Sequence, residues 1–267
     1  MKHKISPVML LLLWLLLPGS LSAQDLGAGD TYSDPLRSGG SGPPMVVIRD
    51  GKFSLGGGRG PKADQVEVTI DYLLGVGVTE ITLGQYRNFL TASRSADLKK
   101  FTNGSDKLPV TGISWDEAEA YVTWLSRETG HYYRLPSASE WEYAARSGTS
   151  STYSWGDDVG ENRANCLNCK SPHTGKVAPV GSFSANDWGL YDMHGNVWEW
   201  TKDCIDPVMA PPINGMPKLF GNCDLRELRG GSTHSDAWSI RAGTRASAQR
   251  QGKTSDLGFR VVMDIPE

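Results

Sequence analysis

The sequence predicts an α+β fold that is rich in loops and contains only a few short helices and strands. Three short amphipathic segments each begin with a helix-capping pattern, and short apolar stretches with strand character precede them. The composition agrees, since 31 glycines and 9 tryptophans occur in a chain of 267 residues. Helical periodicity ends near residue 150, so loops and aromatic side chains are expected to provide much of the packing beyond that point.

Three strands are predicted before the first helix. Met45–Ile48 is a continuous apolar stretch, and the Asp50-Gly51 pair that follows is typical of a tight turn. Lys52–Leu55 is therefore predicted to be the hairpin partner of the first strand. Val66–Ile70 alternates apolar and polar residues, which is typical of a half-buried strand.

Three helices are predicted from capping boxes, in which a hydroxyl accepts a backbone hydrogen bond and the side chain three residues later reaches back. The pairs are Thr82 with Gln85, Ser114 with Glu117, and Ser137 with Glu140. Apolar residues behind the first two boxes recur at intervals of three and four, which is the spacing of a buried helix face. No change in sequence character after the third helix marks a domain boundary, so residues 43–267 are expected to form a single domain.

The first 23 residues are interpreted as a secretory signal peptide. Basic Lys2 and Lys4 precede an apolar run, residues 8–17, that is short for a membrane span, and small residues up to Ala23 offer a cleavage site. Residues 24–42 are polar, rich in glycine and serine and without periodicity, so they are expected to form a flexible leader. The mature protein is expected to be periplasmic or secreted, with no membrane span after signal cleavage.

The charge balance argues against a nucleic-acid partner. The chain has 27 Lys plus Arg against 30 Asp plus Glu, for a formal net charge of −3. A protein that grips a phosphate backbone needs a basic surface, because much of its affinity comes from neutralising phosphates.

The four cysteines are predicted to form two disulfides, because an even number of cysteines in an exported chain favours oxidation. Of the possible pairings we favour Cys166 with Cys169 and Cys204 with Cys223, since the partners in each pair lie in one loop-like stretch. A thiolate metal site is the alternative. A lone C-x-x-C motif without a second such motif or a histidine pair is, however, a weak signal for zinc.

Four motifs follow one another between residues 134 and 260. They are Arg134-Leu-Pro-Ser-Ala-Ser-Glu-Trp-Glu-Tyr-Ala-Ala-Arg146, Gly189-Leu-Tyr-Asp-Met-His-Gly-Asn-Val-Trp-Glu-Trp200, Arg229-Gly-Gly-Ser232 and Leu257-Gly-Phe-Arg260. In this order and spacing they resemble the formylglycine-generating enzyme family, also called the sulfatase-modifying-factor family. The resemblance extends from about Met45 to Val262 and implies a variant of the C-type lectin fold.

The second motif is also a candidate calcium site. Asp192 and Glu199 are hard oxygen donors, and the carbonyls of the intervening Gly195 and Val197 can turn toward the same point. This set suits Ca²⁺, which takes about six to eight oxygen ligands in flexible geometry. The resemblance implies a structural calcium on the same four positions. We do not predict a second calcium, because Pro172 falls where the family has an acidic ligand.

The resemblance breaks at the residues that bind copper. Enzymes of this family oxidise a cysteine of a sulfatase with O₂ and bind copper(I) through two cysteines, and copper(I) prefers such soft thiolates. The first of these positions is Ser235 here, and no cysteine occurs between Asp224 and Glu267. Copper is therefore not an expected cofactor, and the sequence leaves open whether the chain is an enzyme.

A polar pocket is expected after the Arg-Gly-Gly-Ser motif. Its lining is expected to include Ser232, Trp238 and Arg241, and the candidates for any catalysis are His234, Ser235 and Asp236. Neighbours on one extended segment alternate faces, so their adjacency does not make a catalytic triad. We therefore expect a groove that binds a ligand or partner. Three arginines are expected to be structural, pairing with loop carboxylates and carbonyls: Arg229, Arg245 and Arg260.

Functions of three classes fit these features. The first is a non-oxidising protein that binds a protein or peptide partner in the periplasm, and the resemblance includes a regulator of type VI secretion that acts on a membrane-bound kinase. The alternative is a periplasmic oxidoreductase of different chemistry, such as siderophore maturation or formylglycine-type protein oxidation. The third is a calcium-stabilised adhesion or glycan-binding module.

Overall fold

Short strands and three helices make up the regular structure of the computed structural model, which describes residues 26–57, 65–206 and 212–266. The predicted signal peptide, residues 1–23, lies outside the described residues. The helices are α1 (Leu83–Ala92), α2 (Trp115–Thr129) and α3 (Ala138–Arg146), and a 3₁₀ helix covers Ala96–Phe101. The strands are β1 (Thr31–Tyr32), β2 (Met45–Ile48), β3 (Gly51–Leu55), β4 (Val66–Ile70), β5 (Leu74–Gly77), β6 (Tyr133–Arg134), β7 (Trp198–Ile205), β8 (Asn222–Arg229), β9 (Ala246–Gln249), β10 (Leu257–Gly258) and β11 (Val262–Asp264).

The strands of the described residues form three sheets. One has the strand order β1-β2-β5-β11-β6, the second has the order β10-β7-β8-β9, and β3 and β4 form a two-stranded ribbon. Strand β11 pairs antiparallel with both β5 and β6, so the two ends of the domain meet in one sheet. Few helices and separate, loop-linked sheets confirm the predicted α+β class.

The expectation of a flexible leader is wrong for residues 26–42. Strand β1 pairs with β2, and Leu26, Asp34 and Leu36 are buried. The Asp34 carboxylate is anchored by Tyr133 Oη and His131 Nδ1, each 2.7 Å from its Oδ2. Two leucines and one acid are too few to produce a periodic pattern, so the glycine- and serine-rich composition concealed these anchors.

The predicted hairpin between Met45–Ile48 and Lys52–Leu55 is also wrong. Strand β2 lies between β1 and β5, whereas β3 pairs with β4. All four residues of β2 are buried, and a strand that is buried on both faces belongs in the interior of a sheet. Strands β3 and β4 have partly exposed residues and fit the outer ribbon instead.

All three predicted helices are confirmed, and each begins with its capping box. The hydroxyls of Thr82, Ser114 and Ser137 accept from the backbone N–H of the third helical residue, whose side chain binds the cap backbone in return. Helices α1 and α2 bury the predicted faces, which are Leu83, Tyr86, Phe89 and Leu90 on α1 and Trp115, Ala118, Tyr121, Val122 and Leu125 on α2. Helix α2 ends at Gly130, whose φ of 83° is a left-handed conformation that favours glycine.

Both favoured disulfides, Cys166–Cys169 and Cys204–Cys223, are present and leave no free cysteine. The second bond joins β7 to β8, an antiparallel pair of eight-residue strands that the sequence analysis missed. Most of β7 is buried on both faces, so its sequence shows no alternation. No helix among the described residues is long and apolar enough to cross a membrane.

Candidate functional site

The candidate site is the segment Ser232–Arg241, which leaves the end of β8 through two glycines. Gly230 and Gly231 have φ values of 89° and 75°. A Cβ atom on Gly231 would lie 2.7 Å from Ile240 Cγ2 and 2.9 Å from Ser239 O, so the chain folds back on itself at a position that requires glycine. The segment is a series of turns rather than an extended strand.

Ser232 and His234 contact Asp256 rather than Asp236, and Ser235 contacts Ser232. The Ser232 hydroxyl donates to Asp256 Oδ2 at 2.6 Å, and His234 Nδ1 lies 3.5 Å from the same oxygen. The Ser235 hydroxyl accepts from the Ser232 backbone N–H at 2.9 Å. Asp236 instead accepts a backbone hydrogen bond three residues further along. The two serine hydroxyls thus bind an acid and the backbone, which is not the geometry of a nucleophile beside its base.

Asp256, which the sequence analysis did not select, supplies a negative charge at this site. Burial acts to raise the pKa of its carboxyl, but hydrogen bonds from Ser232 and Thr254 and the charge of His234 outweigh burial and hold the pKa below its usual range. The side chain of His234 remains 52% exposed. Asp256 can therefore accept hydrogen bonds from a bound group, and the exposed imidazole lies next to it.

Trp238 forms an exposed edge of the site and is supported by the buried Arg241. The guanidinium carbon of Arg241 lies 3.6 Å from the centre of the Trp238 ring, and Arg241 Nε donates to Trp238 O at 2.7 Å. The indole is 48% exposed, whereas Arg241 is buried. A guanidinium stacked on an aromatic ring holds that ring in place, and tryptophan and arginine are enriched in protein–protein interfaces.

His194, which the sequence analysis did not single out, lies beneath the segment. Its Nδ1 is 2.8 Å from Ile240 O, and its Nε2 accepts from the Ser154 backbone N–H at 3.1 Å, so the ring is neutral with its proton on Nδ1. Burial lowers the pKa of His194 to about 4. The hydrogen bond to Ile240 acts to raise this pKa, whereas the charge of Arg146 lowers it further. A single histidine in a loop carries no sequence signal for burial.

Two of the three arginines expected to be structural, the buried Arg229 and the exposed Arg245, form ion pairs next to this segment. Arg229 contacts Glu142 of α3 and Glu227 of β8, each at 3.0 Å, and Arg245 contacts Glu227 at 2.5 Å. Both glutamates and Arg229 are almost inaccessible. The network fixes β8 against α3 and so determines where the candidate segment begins.

Four buried positions in the chain leading into β7 are those predicted to bind calcium: Asp192, Gly195, Val197 and Glu199. The Glu199 oxygens already accept hydrogen bonds, because Arg260 donates to both and Trp141 Nε1 donates to Oε2 at 2.6 Å. This pairing also accounts for Arg260 as a structural residue. Asp192 Oδ2 accepts from Gly181 N at 2.6 Å, whereas Asp192 Oδ1 is buried without a hydrogen-bond partner.

A further buried carboxylate, Glu80, interacts with Asp192 and was missed by the sequence analysis. Asn196 Nδ2 donates to Glu80 Oε1 at 2.9 Å, while Glu80 Oε2 has no partner. Burial, together with the carboxylates of Asp192 and Glu199, raises the pKa of Glu80 well above its usual value. Burial also raises the pKa of Asp192. The two buried oxygens without donors fit a hard divalent cation such as Ca²⁺.

Comparisons with known proteins agree with this architecture. The model of the family described as "Sulfatase-modifying factor enzyme 1-like domain" matches residues 32–265. The formylglycine-generating enzyme of Streptomyces coelicolor is 35% identical over 178 residues, which cover 60% of this chain and 54% of that enzyme. The inactive C-alpha-formylglycine-generating enzyme 2 of Mus musculus is 36% identical over 168 residues, which cover 58% of this chain and 48% of that protein. The chain thus spans about half the length of these curated relatives.

Other matches extend over more of the chain. The serine/threonine-protein kinase pkn1 of Chlamydia pneumoniae is 30% identical over 247 residues, which cover 83% of this chain and 38% of the kinase. The solved structure of PvdO from Pseudomonas aeruginosa has a TM-score of 0.76 and 26% identity, covering 90% of this chain and 99% of PvdO. Treponema denticola variable protein 1 shares the fold, with a TM-score of 0.70 and 24% identity over 89% of this chain and 99% of that one. With an α+β, C-type-lectin-like fold and a family match over residues 32–265, this chain belongs to the formylglycine-generating enzyme, or sulfatase-modifying-factor, family.

Proposed function

We propose that this chain is an exported, formylglycine-generating-enzyme-like protein that binds a protein or peptide partner in the periplasm through the segment Ser232–Arg241. The observation that carries the proposal is the exposed indole of Trp238, which the stacked Arg241 supports within this segment. A large aromatic ring held in place loses little conformational freedom on binding, which is a property of interface hot spots.

The proposal excludes copper-dependent formylglycine synthesis. Ser235 stands at the position that the family resemblance assigns to the first copper-binding cysteine, and a hydroxyl does not bind copper(I) as a thiolate does. All four cysteines of the chain are joined in disulfides, so none offers a thiolate. Relatives named as an active and as an inactive enzyme match this chain equally well, at 35% and 36% identity, so the name of the second is a precedent in the family for a member without this activity.

The match to the kinase supports a regulatory partner. This chain covers 38% of the protein named serine/threonine-protein kinase pkn1 at 30% identity, so a segment similar to this chain occurs within a kinase. We propose that the present chain regulates phosphorylation signalling from the periplasm, for example in the control of type VI secretion. The two disulfides fit the oxidising compartment that this role requires.

Photo-crosslinking in cells tests the binding role. A photoreactive residue replaces Trp238, and in a matched control it replaces Tyr132, an aromatic residue that is 61% exposed outside the candidate segment. We expect mass spectrometry to identify one discrete protein adduct from position 238 that is absent from position 132. A small-molecule adduct, or no adduct from a folded variant, would contradict the binding role and favour the oxidoreductase alternative.

The regulatory part of the proposal is tested separately by deleting the gene. We expect the phosphorylation of the partner kinase or of its substrates to change, and complementation with the wild-type chain to restore it. Complementation with a Trp238→Ala variant should fail although that variant folds. Unchanged phosphorylation in the deletion strain would contradict a regulatory role, and only the binding role would then remain.

We also propose a structural calcium held by Asp192 and Glu80 together with the carbonyls of Gly195 and Val197. Glu199, the fourth position expected from the sequence, is already paired with Arg260 and Trp141 and lies beside the ion. The unpartnered Asp192 Oδ1 and Glu80 Oε2 support this proposal. A bound cation would relieve the repulsion between these buried carboxylates and hold the chain that leads into β7.

Chelation of the purified protein tests the calcium site. We expect removal of calcium to lower the melting temperature and its return to restore it, because a ligand that binds only the folded state stabilises that state. An Asp192→Asn variant should lose this response, whereas Asp224→Asn, at an exposed acid elsewhere, should keep it. A wild-type melting temperature that is insensitive to chelation would contradict the proposal.

A further inference from the structure

The Cys166–Cys169 disulfide closes a small ring that lies against the proposed binding segment. Both cysteines are inaccessible to solvent, whereas Leu167 between them is 52% exposed and Asn168 is exposed as well. The buried disulfide therefore restricts the positions of the two exposed residues that it encloses, Leu167 and Asn168.

These two enclosed residues hold the binding segment at two points. The Leu167 backbone N–H donates to Ser235 O at 2.9 Å, and Asn168 Oδ1 accepts from the Ala237 backbone N–H at 2.8 Å. Ser235 follows the turn at residues 233–234, and Ala237 begins the next turn, which contains Trp238. Any change in the ring is therefore transmitted to the exposed indole through two hydrogen bonds.

The apolar support under this region is small and contains the disulfide itself. The buried members of the cluster are Tyr153, Ala164, Cys166, Cys169 and Ile240. The Tyr153 hydroxyl also donates to Ala237 O at 2.7 Å. The two main cores are separate clusters. A cluster of this size buries little apolar surface, so local opening is opposed mainly by the covalent link.

The other disulfide lies in a different environment. Cys204 and Cys223 belong to β7 and β8, which pair as a ladder that includes Glu199 opposite Arg229 and Ile205 opposite Asn222. The register of this ladder shifts on both sides of Cys204, and the pairing of Glu199 with Arg229 and of Trp200 with Leu228 lies beyond the shift, away from the disulfide. We therefore expect the two strands to stay paired there when the sulfur atoms are not joined. This bond serves as an internal control for the first one.

We propose that the Cys166–Cys169 disulfide is a redox-modification site that controls the binding segment, an inference that rests on the proposed function. A reductant of the dithiol class transfers two electrons and two protons: the S–S bond breaks, two thiols form, and the dithiol becomes a disulfide. The reductant reaches the buried sulfurs when the small cluster opens. In the reduced chain Leu167 and Asn168 lose their fixed positions, the segment loosens, and partner binding weakens.

Hydrogen exchange followed by mass spectrometry tests this control without any partner. The full-length oxidised protein is compared with a Cys166→Ser/Cys169→Ser variant and with a Cys204→Ser/Cys223→Ser control. We expect peptides covering residues 232–241 to exchange about tenfold faster in the first variant and at the wild-type rate in the control. Equal rates in the wild type and the first variant would overturn the proposal.

Graded reduction of the wild-type protein with dithiothreitol, followed by alkylation and mass spectrometry, provides a second measurement that does not depend on a variant folding. We expect Cys166 and Cys169 to be alkylated before Cys204 and Cys223. Hydrogen exchange of residues 232–241 should become faster as the fraction of reduced Cys166 and Cys169 increases. Earlier reduction of Cys204–Cys223 would overturn the proposal. Neither measurement needs a partner, so a failed crosslinking experiment would reject the proposed function and leave this result standing.

Discussion

Replacing His194 by asparagine is predicted to remove a pH dependence from the free energy of unfolding. In the folded protein the imidazole donates from Nδ1 to Ile240 O and accepts at Nε2 from the Ser154 backbone N–H. Protonation would place a second N–H at Nε2, facing the N–H of Ser154, and would put a charge in a fully buried site. The folded state therefore resists protonation, whereas the unfolded state does not.

The size of the effect follows from the two pKa values. Burial lowers the pKa of His194 from 6.5 to about 4 in the folded state. Between these two pH values the unfolded state binds more protons than the folded state, so the free energy of unfolding rises with pH. The stability that comes from keeping His194 neutral is fully present above pH 6.5 and is lost as the pH falls toward 4. The expected loss is about 2 kcal/mol between pH 7 and 5 and about 3 kcal/mol between pH 7 and 4.

Urea unfolding followed by tryptophan fluorescence at pH 7, 5 and 4 measures this difference. Other carboxyl groups titrate in both proteins, so the quantity of interest is the pH dependence of the wild type minus that of His194→Asn. A His173→Asn control should behave as the wild type, because this histidine lies in a partly exposed loop. If His194→Asn retains the full wild-type pH dependence, the assignment of a buried, neutral His194 is refuted.

Further changes test the buried ion pairs, the two disulfides and the α2 cap. Arg229→Met removes one of two cations from each of two buried carboxylates, since Glu142 keeps Arg146 and Glu227 keeps Arg245. We therefore expect urea unfolding to show a loss of about 3 kcal/mol, the low end for a broken buried ion pair, and a loss below 1 kcal/mol would contradict the buried network. A disulfide that closes a longer loop restricts the unfolded chain more, so loss of the Cys204–Cys223 bond, with a separation of 19 residues, should cost about 3 kcal/mol. Loss of the Cys166–Cys169 bond, with a separation of 3, should cost about 2 kcal/mol, and the reverse order would contradict this argument. Ser114→Ala removes the α2 cap and should lower stability by about 1 kcal/mol in the same assay, whereas no change would show that the capping hydrogen bond is replaced by water.

Several parts of this protein were predictable because they depend on near neighbours in the chain. The caps at Thr82, Ser114 and Ser137 lie next to the groups they satisfy, so sequence alone located the start of each helix. The Cys166–Cys169 and Cys204–Cys223 pairs were likewise favoured because their partners are close in sequence. The family motifs added the fold class, because their order and spacing are read directly from the chain.

The errors occurred where the partner of a residue is distant in the chain. The choice of β5 rather than β3 as the neighbour of β2 depends on which strands can bury both faces. His234 meets Asp256 rather than Asp236 because the turns after Gly230 and Gly231 direct the chain toward the C-terminal loop. Glu80 meets Asp192 across more than a hundred residues, a contact that no local pattern records.

The sequence by itself determined where the helices begin, the family and the loss of the copper-binding cysteine, and it favoured the correct disulfide pairs, since each depends on residue identity or short spacing. Only the tertiary structure decided which acid faces His234, which carboxylates lack partners and how the Cys166–Cys169 ring holds the binding segment. The physical reason is that burial and hydrogen bonding between distant segments set these properties, and both arise only when the loops pack against the sheets.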